Sequence, residues 1–236
     1  MKLLVSVVNE EEAREALAGG ADIIDVKNPL EGSLGANFPK VIRRVVELSF
    51  GFEVSAAIGD MPNLPGTASL AALGAASCGV DYIKIGLMGP QNAGEAIYLM
   101  QRITETVREA NSRTRVIAVA YADARRVGSL DPLLLPQVAL AAGADGCMLD
   151  TAVKDGSSLF DFLDLDTLRK FVREVHDQGF LCALAGSLKA EDLSLVWELG
   201  ADIAGVRGAA CIGDRREARV AREKILSLSS CVPRRR

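Results

Sequence analysis

Ala16-Leu17-Ala18-Gly19-Gly20-Ala21-Asp22, running into Ile23-Ile24-Asp25-Val26-Lys27, is a phrase that the chain repeats three more times. It returns as Cys78-Gly79-Val80-Asp81 before Tyr82 to Gly86, as Ala141-Ala142-Gly143-Ala144-Asp145 before Gly146 to Asp150, and as Leu199-Gly200-Ala201-Asp202 before Ile203 to Gly208. Glycine ends a helix in a left-handed cap, the next residues turn the chain, and a short apolar run follows, as expected of a parallel strand buried on both faces. That is the grammar of a repeated βα unit. Three of the four strands carry charge toward their carboxyl ends, at Asp25 and Lys27, Lys84, and Asp150. In a (β/α)8 barrel that end holds the active site.

Outward from these four phrases, hydrophobic period and punctuation predict eight strands, near 3–8, 22–27, 53–58, 82–87, 116–121, 146–150, 181–186 and 203–208. Helices are predicted between them, near 10–18, 39–49, 67–77, 92–110, 132–142, 166–178, 190–199 and 214–228. Asn9, Pro39, Asp131-Pro132, Asp166 and Asp214 mark helix starts. The fold class is therefore α/β, a single (β/α)8 TIM barrel forming one catalytic domain over 1–236, with 230–236 as a flexible tail ending in three arginines. An open doubly wound sheet would want a glycine-rich nucleotide turn after its first strand, where this chain has Val8-Asn9-Glu10.

The 236 residues, 49% of them hydrophobic, suit one such barrel. Five cysteines, odd in number and without CxxC spacing, read as reduced packing residues of a cytoplasmic protein. No stretch reads as a signal peptide or as a membrane span. The net charge of −4 gives no reason to expect nucleic acid as a partner. The only histidine, His176, falls on a predicted helix away from the strand ends, which argues against zinc ligation.

Residues two apart share a face of a strand, so Asp25 and Lys27 point the same way, as do Tyr82, Lys84 and Gly86. Lysine is almost never fully buried unpaired. Adding Asp150, and Lys154 on the loop after it, brings three lysines and two aspartates to one barrel mouth. Desolvation and neighbouring ammonium groups both disfavour a charged lysine, so one of the three can be a free amine able to form a Schiff base with a carbonyl substrate. The other charged groups can then move protons. The loops after strands seven and eight, containing Gly186 and Ser187, and Arg207, Gly208 and Ala209, stand where barrels bind a substrate phosphate through backbone amides. Of the remaining polar residues, 28–37 reads equally as a lid or as a flexible connection, Asp60 is ambiguous, and Asp123, Arg125 and Arg126 read as surface groups or as contacts to a second phosphate. Trp197 and its neighbours read as helix packing.

The opening Met1 to Glu10, the block Asp22 to Asn37 containing Asp25-Val26-Lys27-Asn28-Pro29, the strand Asp81 to Leu87, Leu149 to Gly156 and Ala183 to Leu188 resemble the (5-formylfuran-3-yl)methyl phosphate synthase family over essentially the whole chain. The resemblance implies a lyase that makes the furan precursor of methanofuran from two molecules of glyceraldehyde 3-phosphate, with loss of water and one phosphate and with no metal or organic cofactor. It implies Lys27 as the Schiff-base lysine and Lys84 as the proton acceptor, assisted by Asp25, Asp150 and Lys154. The partner is then a small triose phosphate, and a homo-oligomer is compatible with it. Two other readings share the residues: another Schiff-base aldolase acting on a phosphorylated sugar, and a noncatalytic barrel that binds a phosphometabolite.

Overall fold

A computed structural model of the chain describes residues 1–110, 113–213 and 218–233. In chain order it contains β1 (Lys2–Val7), α1 (Glu10–Ala18), β2 (Ile23–Val26), α2 (Pro39–Leu48), β3 (Glu53–Met61), α3 (Pro65–Ala76), β4 (Tyr82–Leu87) and α4 (Ala93–Ala110). The second half runs β5 (Arg115–Tyr121), α5 (Ala124–Val127), α6 (Leu135–Ala142), β6 (Gly146–Asp150), α7 (Leu165–Asp177), β7 (Leu181–Leu184), α8 (Asp192–Glu198), β8 (Ile203–Val206), β9 (Cys211–Ile212), β10 (Arg219–Val220) and α9 (Arg222–Cys231). Strands β1 to β8 pair in sequence, all parallel, and β8 closes on β1, so the barrel is complete and has no free edge.

The repeated phrase has a physical reason. Gly20, Gly79, Gly143 and Gly200 have φ of 88°, 86°, 66° and 89°, a region that L side chains resist. The residue that follows each, Ala21, Val80, Ala144 or Ala201, is buried. Each aspartate then clamps its own strand to the preceding one. The carboxylates of Asp22, Asp81, Asp145 and Asp202 accept from the backbone N–H of Leu3, Val54, Val116 and Cys182 at 2.7–2.9 Å. The backbone N–H groups of the same four aspartates donate to the carbonyls of the same four partners at 2.8–2.9 Å. The clamps join β1 to β2, β3 to β4, β5 to β6 and β7 to β8 at the amino end of the barrel, opposite the charged mouth.

Inward residues divide the interior into an apolar plug and a polar rim. Leu4, Ile23, Tyr82, Ile117, Met148, Ala183 and Ile203 pack in the lower barrel, while the outward faces of the strands pack with the helices in a larger, continuous core. Asn9 caps α1 by accepting from Glu12 N at 2.9 Å, and Pro39 opens α2.

Four expectations need correction. The cap of α7 is Asp164, which accepts from Thr167 N at 2.8 Å, because Asp166 already lies within the first turn. The last helix begins at Arg222, not 214; Arg219 and Val220 instead pair with Ile212 and Cys211 in a short antiparallel ribbon, and Asp214 lies outside the described residues. The helix extends into the expected tail: α9 runs to Cys231 and Val232 is buried, while 234–236 lie outside the described residues. A short helix, α5, follows β5 and was not predicted.

Candidate active site

Strand register builds the rim. Asp25 lies beside Ser6 of β1 and Ser55 of β3, so all three side chains enter the barrel at one level. Its carboxylate accepts from Ser6 Oγ at 2.7 Å, from Ser55 Oγ, and from Lys84 Nζ at 2.8 Å. Asp25 and Lys84 form a buried ion pair whose side chains are 0% and 3% exposed. Burial alone would raise the Asp25 pKa, but Lys84 and Lys27, with the hydrogen bonds, outweigh it and hold the carboxyl below its ordinary range. The flanking serines went unnoticed in the sequence. Their signal is a hydroxyl on the inward parity of a strand that is otherwise apolar, as at Ser6 in Leu3-Leu4-Val5-Ser6-Val7.

Lys27 continues β2 upward and is only 7% exposed. Its Nζ donates to the Ser33 carbonyl at 3.1 Å. Burial is the largest influence and pushes the amine down to about 8; the Lys154 and Lys84 ammonium groups act in the same sense, and Asp150 and Asp25 partly oppose them. Across the mouth, Asp150 accepts from Lys154 Nζ at 2.6 Å and from Thr151 N at 2.7 Å. Its carboxyl is also held low, because Lys154, Lys27 and these bonds overcome the cost of burial. Lys154 donates to Thr151 Oγ1 as well, at 3.1 Å. The five charged residues expected at the mouth are thus brought together as two carboxylate and lysine pairs flanking one weakly basic amine.

These groups open into a cavity of about 980 Å³ at the carboxyl end of the barrel, walled by Lys27, Lys84, Asp150 and Lys154 and by the loops after β7 and β8. Gly186, Ser187, Arg207, Gly208 and Ala209 all line it. Gly186 has φ 108° and Ser187 has φ 50°, the one described residue other than glycine in the left-handed region. They stand in the loop after β7, where barrels of this kind take a substrate phosphate on backbone N–H groups. Arg207 is differently placed from a free cation: it donates to Glu12 at 2.8 and 3.3 Å and to the Ser6 carbonyl at 2.9 Å. Among the described residues no three His, Cys, Asp or Glu side chains are grouped to hold a metal; His176 pairs with Asp202 at the other end of the barrel.

Two residues weighed as ambiguous have definite places. Asp123 is buried and accepts from the N–H groups of Ala152 and Val153 at 2.6 and 2.9 Å, fixing the loop that carries Lys154. Asp60 accepts from Leu34 N at 3.1 Å and from the Tyr121 hydroxyl. Arg126 pairs with Asp155 at the rim. The later part of the loop 28–37 packs into the mouth: Leu34 is fully buried, Asn28 and Gly35 are joined by a backbone bond of 2.8 Å, and Ser33 Oγ donates to the Thr151 carbonyl at 2.8 Å.

The chain is 56% identical to the (5-formylfuran-3-yl)methyl phosphate synthase of Methanococcus maripaludis over 227 residues, 95% of this chain and 96% of that protein. It is 53% identical to the protein of that name from Methanocaldococcus jannaschii over 230 residues, 97% of this chain and 98% of the other. Among solved structures, a 3-hexulose-6-phosphate synthase superposes with a TM-score of 0.68 at 20% identity, covering 99% of this chain and 100% of that one. The last likeness speaks for the barrel alone. The family described as 4-HFC-P synthase matches residues 3–229, nearly the whole barrel with its paired rim, and the chain belongs to that family.

Proposed function

We propose that this enzyme condenses two molecules of glyceraldehyde 3-phosphate, through an imine on Lys27, to (5-formylfuran-3-yl)methyl phosphate, the furan precursor of methanofuran. The observation that carries the reading is the buried Lys27 amine, brought down to about 8, standing between two carboxylate and lysine pairs. The two triose phosphates contain the atoms of the furan phosphate, one inorganic phosphate and two waters, so the conversion is redox-neutral and calls for no oxidant or reductant. One triose phosphate isomerises to the ketone, and the neutral Lys27 amine adds to its carbonyl carbon. Loss of water gives an iminium, which draws electrons from the adjacent carbon and lets a proton leave from it. The resulting enamine attacks the aldehyde carbon of the second triose phosphate.

Lys84, hydrogen-bonded to Asp25, lies in the barrel below this amine and is assigned to proton transfer at the reacting carbons. Lys154 and Asp150 stand on the opposite wall and are assigned to the hydroxyl and phosphate departures that accompany cyclisation. The substrate phosphate is assigned to the backbone of Gly186, Ser187, Gly208 and Ala209, with Arg207 behind it and partly neutralised by Glu12. The reaction belongs to the carbon–oxygen lyases.

The test is to incubate the pure protein with glyceraldehyde 3-phosphate alone and to identify the product by mass and ultraviolet absorption. The furan aldehyde phosphate is expected. A simple aldol adduct would assign the protein to another Schiff-base aldolase, and unchanged substrate bound to the protein would leave a binding barrel. Borohydride added with substrate is expected to increase the mass of the Lys27 peptide, and Lys27→Ala to abolish both trapping and turnover. Lys84→Ala should still be trapped yet lose about 10²- to 10⁴-fold in rate, the range for losing an acid–base group.

A further inference from the structure

We propose that Asp60 is a positioning residue for the Lys27 amine, acting through the segment 32–34 whose Ser33 carbonyl accepts the lysine's N–H; the inference rests on the amine reading above and extends it to a residue outside the charged rim.

The placement of Asp60 comes from a bulge. In the pairing of β3 with β4, Ala57 lies opposite Lys84 but Asp60 lies opposite Gly86, so three residues of β3 span two of β4. Without that extra residue, position 60 would take the outward parity of Val54, Ala56 and Ile58. The bulge, with Gly59 at φ 130°, returns the carboxylate to the inward face, level with Gly86. There it accepts from Leu34 N at 3.1 Å and from the Tyr121 hydroxyl. Burial, and the carboxylate beside it, push the Tyr121 pKa well up, so the phenol keeps its proton and remains a donor.

Two glycines make room for the latch. A Cβ on Gly32 would stand 2.1 Å from Asp60 Oδ2, and one on Gly86 would stand 1.9 Å from the Tyr121 hydroxyl and 2.9 Å from Leu34 Cδ1. Leu34 is fully buried with Tyr121 in the inner apolar cluster. The segment is therefore pinned on one side by Asp60 and on the other by Ser33 Oγ on the Thr151 carbonyl at 2.8 Å. Between the two pins the Ser33 carbonyl meets Lys27 Nζ at 3.1 Å.

A carbonyl oxygen can only accept, so it orients an N–H of the neutral amine toward itself and leaves the nitrogen lone pair to be offered elsewhere. Once the imine is protonated its nitrogen bears a single N–H, which can keep the same acceptor through the cationic intermediate. The segment lies against the Lys27 amine through that bond, the lysine is only 7% exposed, and water admitted by moving the segment would favour its charged form. The charged groups that bear on this amine are Asp25 from β2, Lys84 from β4, and Asp150 and Lys154 from β6 and its following loop. None of these is altered by changing Asp60.

The test measures the pH midpoint for modification of Lys27 by acetic anhydride, read by peptide mass against exposed lysines, beside kcat and KM. In Asp60→Ala the freed segment should let water reach the amine. The Lys27 midpoint is then expected to rise by about one pH unit or more toward the free-lysine value of about 10.4. The kcat should fall about 10- to 100-fold with a smaller change in KM, as expected for a displaced reacting group. Asp60→Asn keeps an oxygen for Leu34 N and Tyr121, and both readouts should stay with the wild type. If Asp60→Ala does not fold, Asp60→Glu, which pushes the carboxylate off Leu34 N, must show the same displaced midpoint and lowered kcat. A wild-type midpoint and kcat in the folded Ala or Glu variant would overturn the proposal. Absence of borohydride trapping in the wild type would sink the imine reading instead, while the labelling midpoints would still decide the role of Asp60.

Discussion

At the scale of single residues, burying the Lys27 amine costs stability. The folded protein holds Lys27 near 8, whereas an unfolded chain leaves a lysine near its ordinary value of 10.5. At pH below 8 both states bind the proton and the full cost of burying it is present. Between the two values only the unfolded state binds it, so stability rises with pH until the cost disappears. The shift corresponds to a cost of about 3 kcal/mol at about 1.4 kcal/mol per pKa unit, reduced in practice because Asp150 and Asp25 lose a neighbouring cation when Lys27 is removed. Lys27→Met is accordingly expected to raise the melting temperature at pH 7 and to lose this advantage by pH 10, as scanning calorimetry can check. Asp25→Asn should act in the opposite sense. It strands Lys84 without its carboxylate in the barrel interior, and breaking a buried ion pair costs about 3–5 kcal/mol. The kcat/KM of the wild type is expected to climb with pH to a shoulder near 8, where the Lys27 amine becomes free.

At the scale of elements the four aspartate clamps do one job at four places. Asp81 and Asp145 each lie beyond the apolar plug, far from the rim, and each satisfies a strand-entry N–H through its carboxylate. Replacing either by alanine leaves a backbone donor of the neighbouring strand unpaired, at a cost of about 1–3 kcal/mol. Denaturant unfolding of Asp81→Ala, Asp145→Ala and the double variant should show losses that add, since the two clamps share no partner. Turnover per folded molecule should be unchanged. The loop after β7 behaves otherwise. Ser187 at φ 50° is a strained position, so Ser187→Gly is expected to gain a few tenths to about 1 kcal/mol in stability. Its KM should rise if the serine hydroxyl helps to hold phosphate.

At the scale of the whole molecule, the strand clamps and the proposed chemistry occupy opposite ends of one barrel. The amino end carries the clamps and the carboxyl end carries the open cavity, with an apolar plug between them. A change at one end should therefore leave the other unaffected. A crystal grown with sulfate or phosphate is expected to show an anion against the backbone of Gly186, Ser187, Gly208 and Ala209, and an anion bound only elsewhere would refute that placement. No helix among the described residues is long and apolar enough to cross a membrane.

By itself the chain determined the barrel and the identity of the charged rim, because both are written in local periods. Glycine followed two residues later by aspartate marks the entries of four alternate strands, and the two-residue alternation of a strand puts Asp25 with Lys27 and isolates Lys84 among apolar neighbours. Those are short-range rules, legible from neighbours in sequence. Only the tertiary structure decided which lysine meets which carboxylate, since pairing depends on register: Asp25 reaches Ser6, Ser55 and Lys84 across three strands. It also gave Arg207 to Glu12, more than a hundred and ninety positions away in the chain, because β8 closes against β1. The role of Asp60 was equally hidden. A one-residue bulge reverses the side of the strand on which a carboxylate emerges, and no alternating pattern can show where that reversal happens.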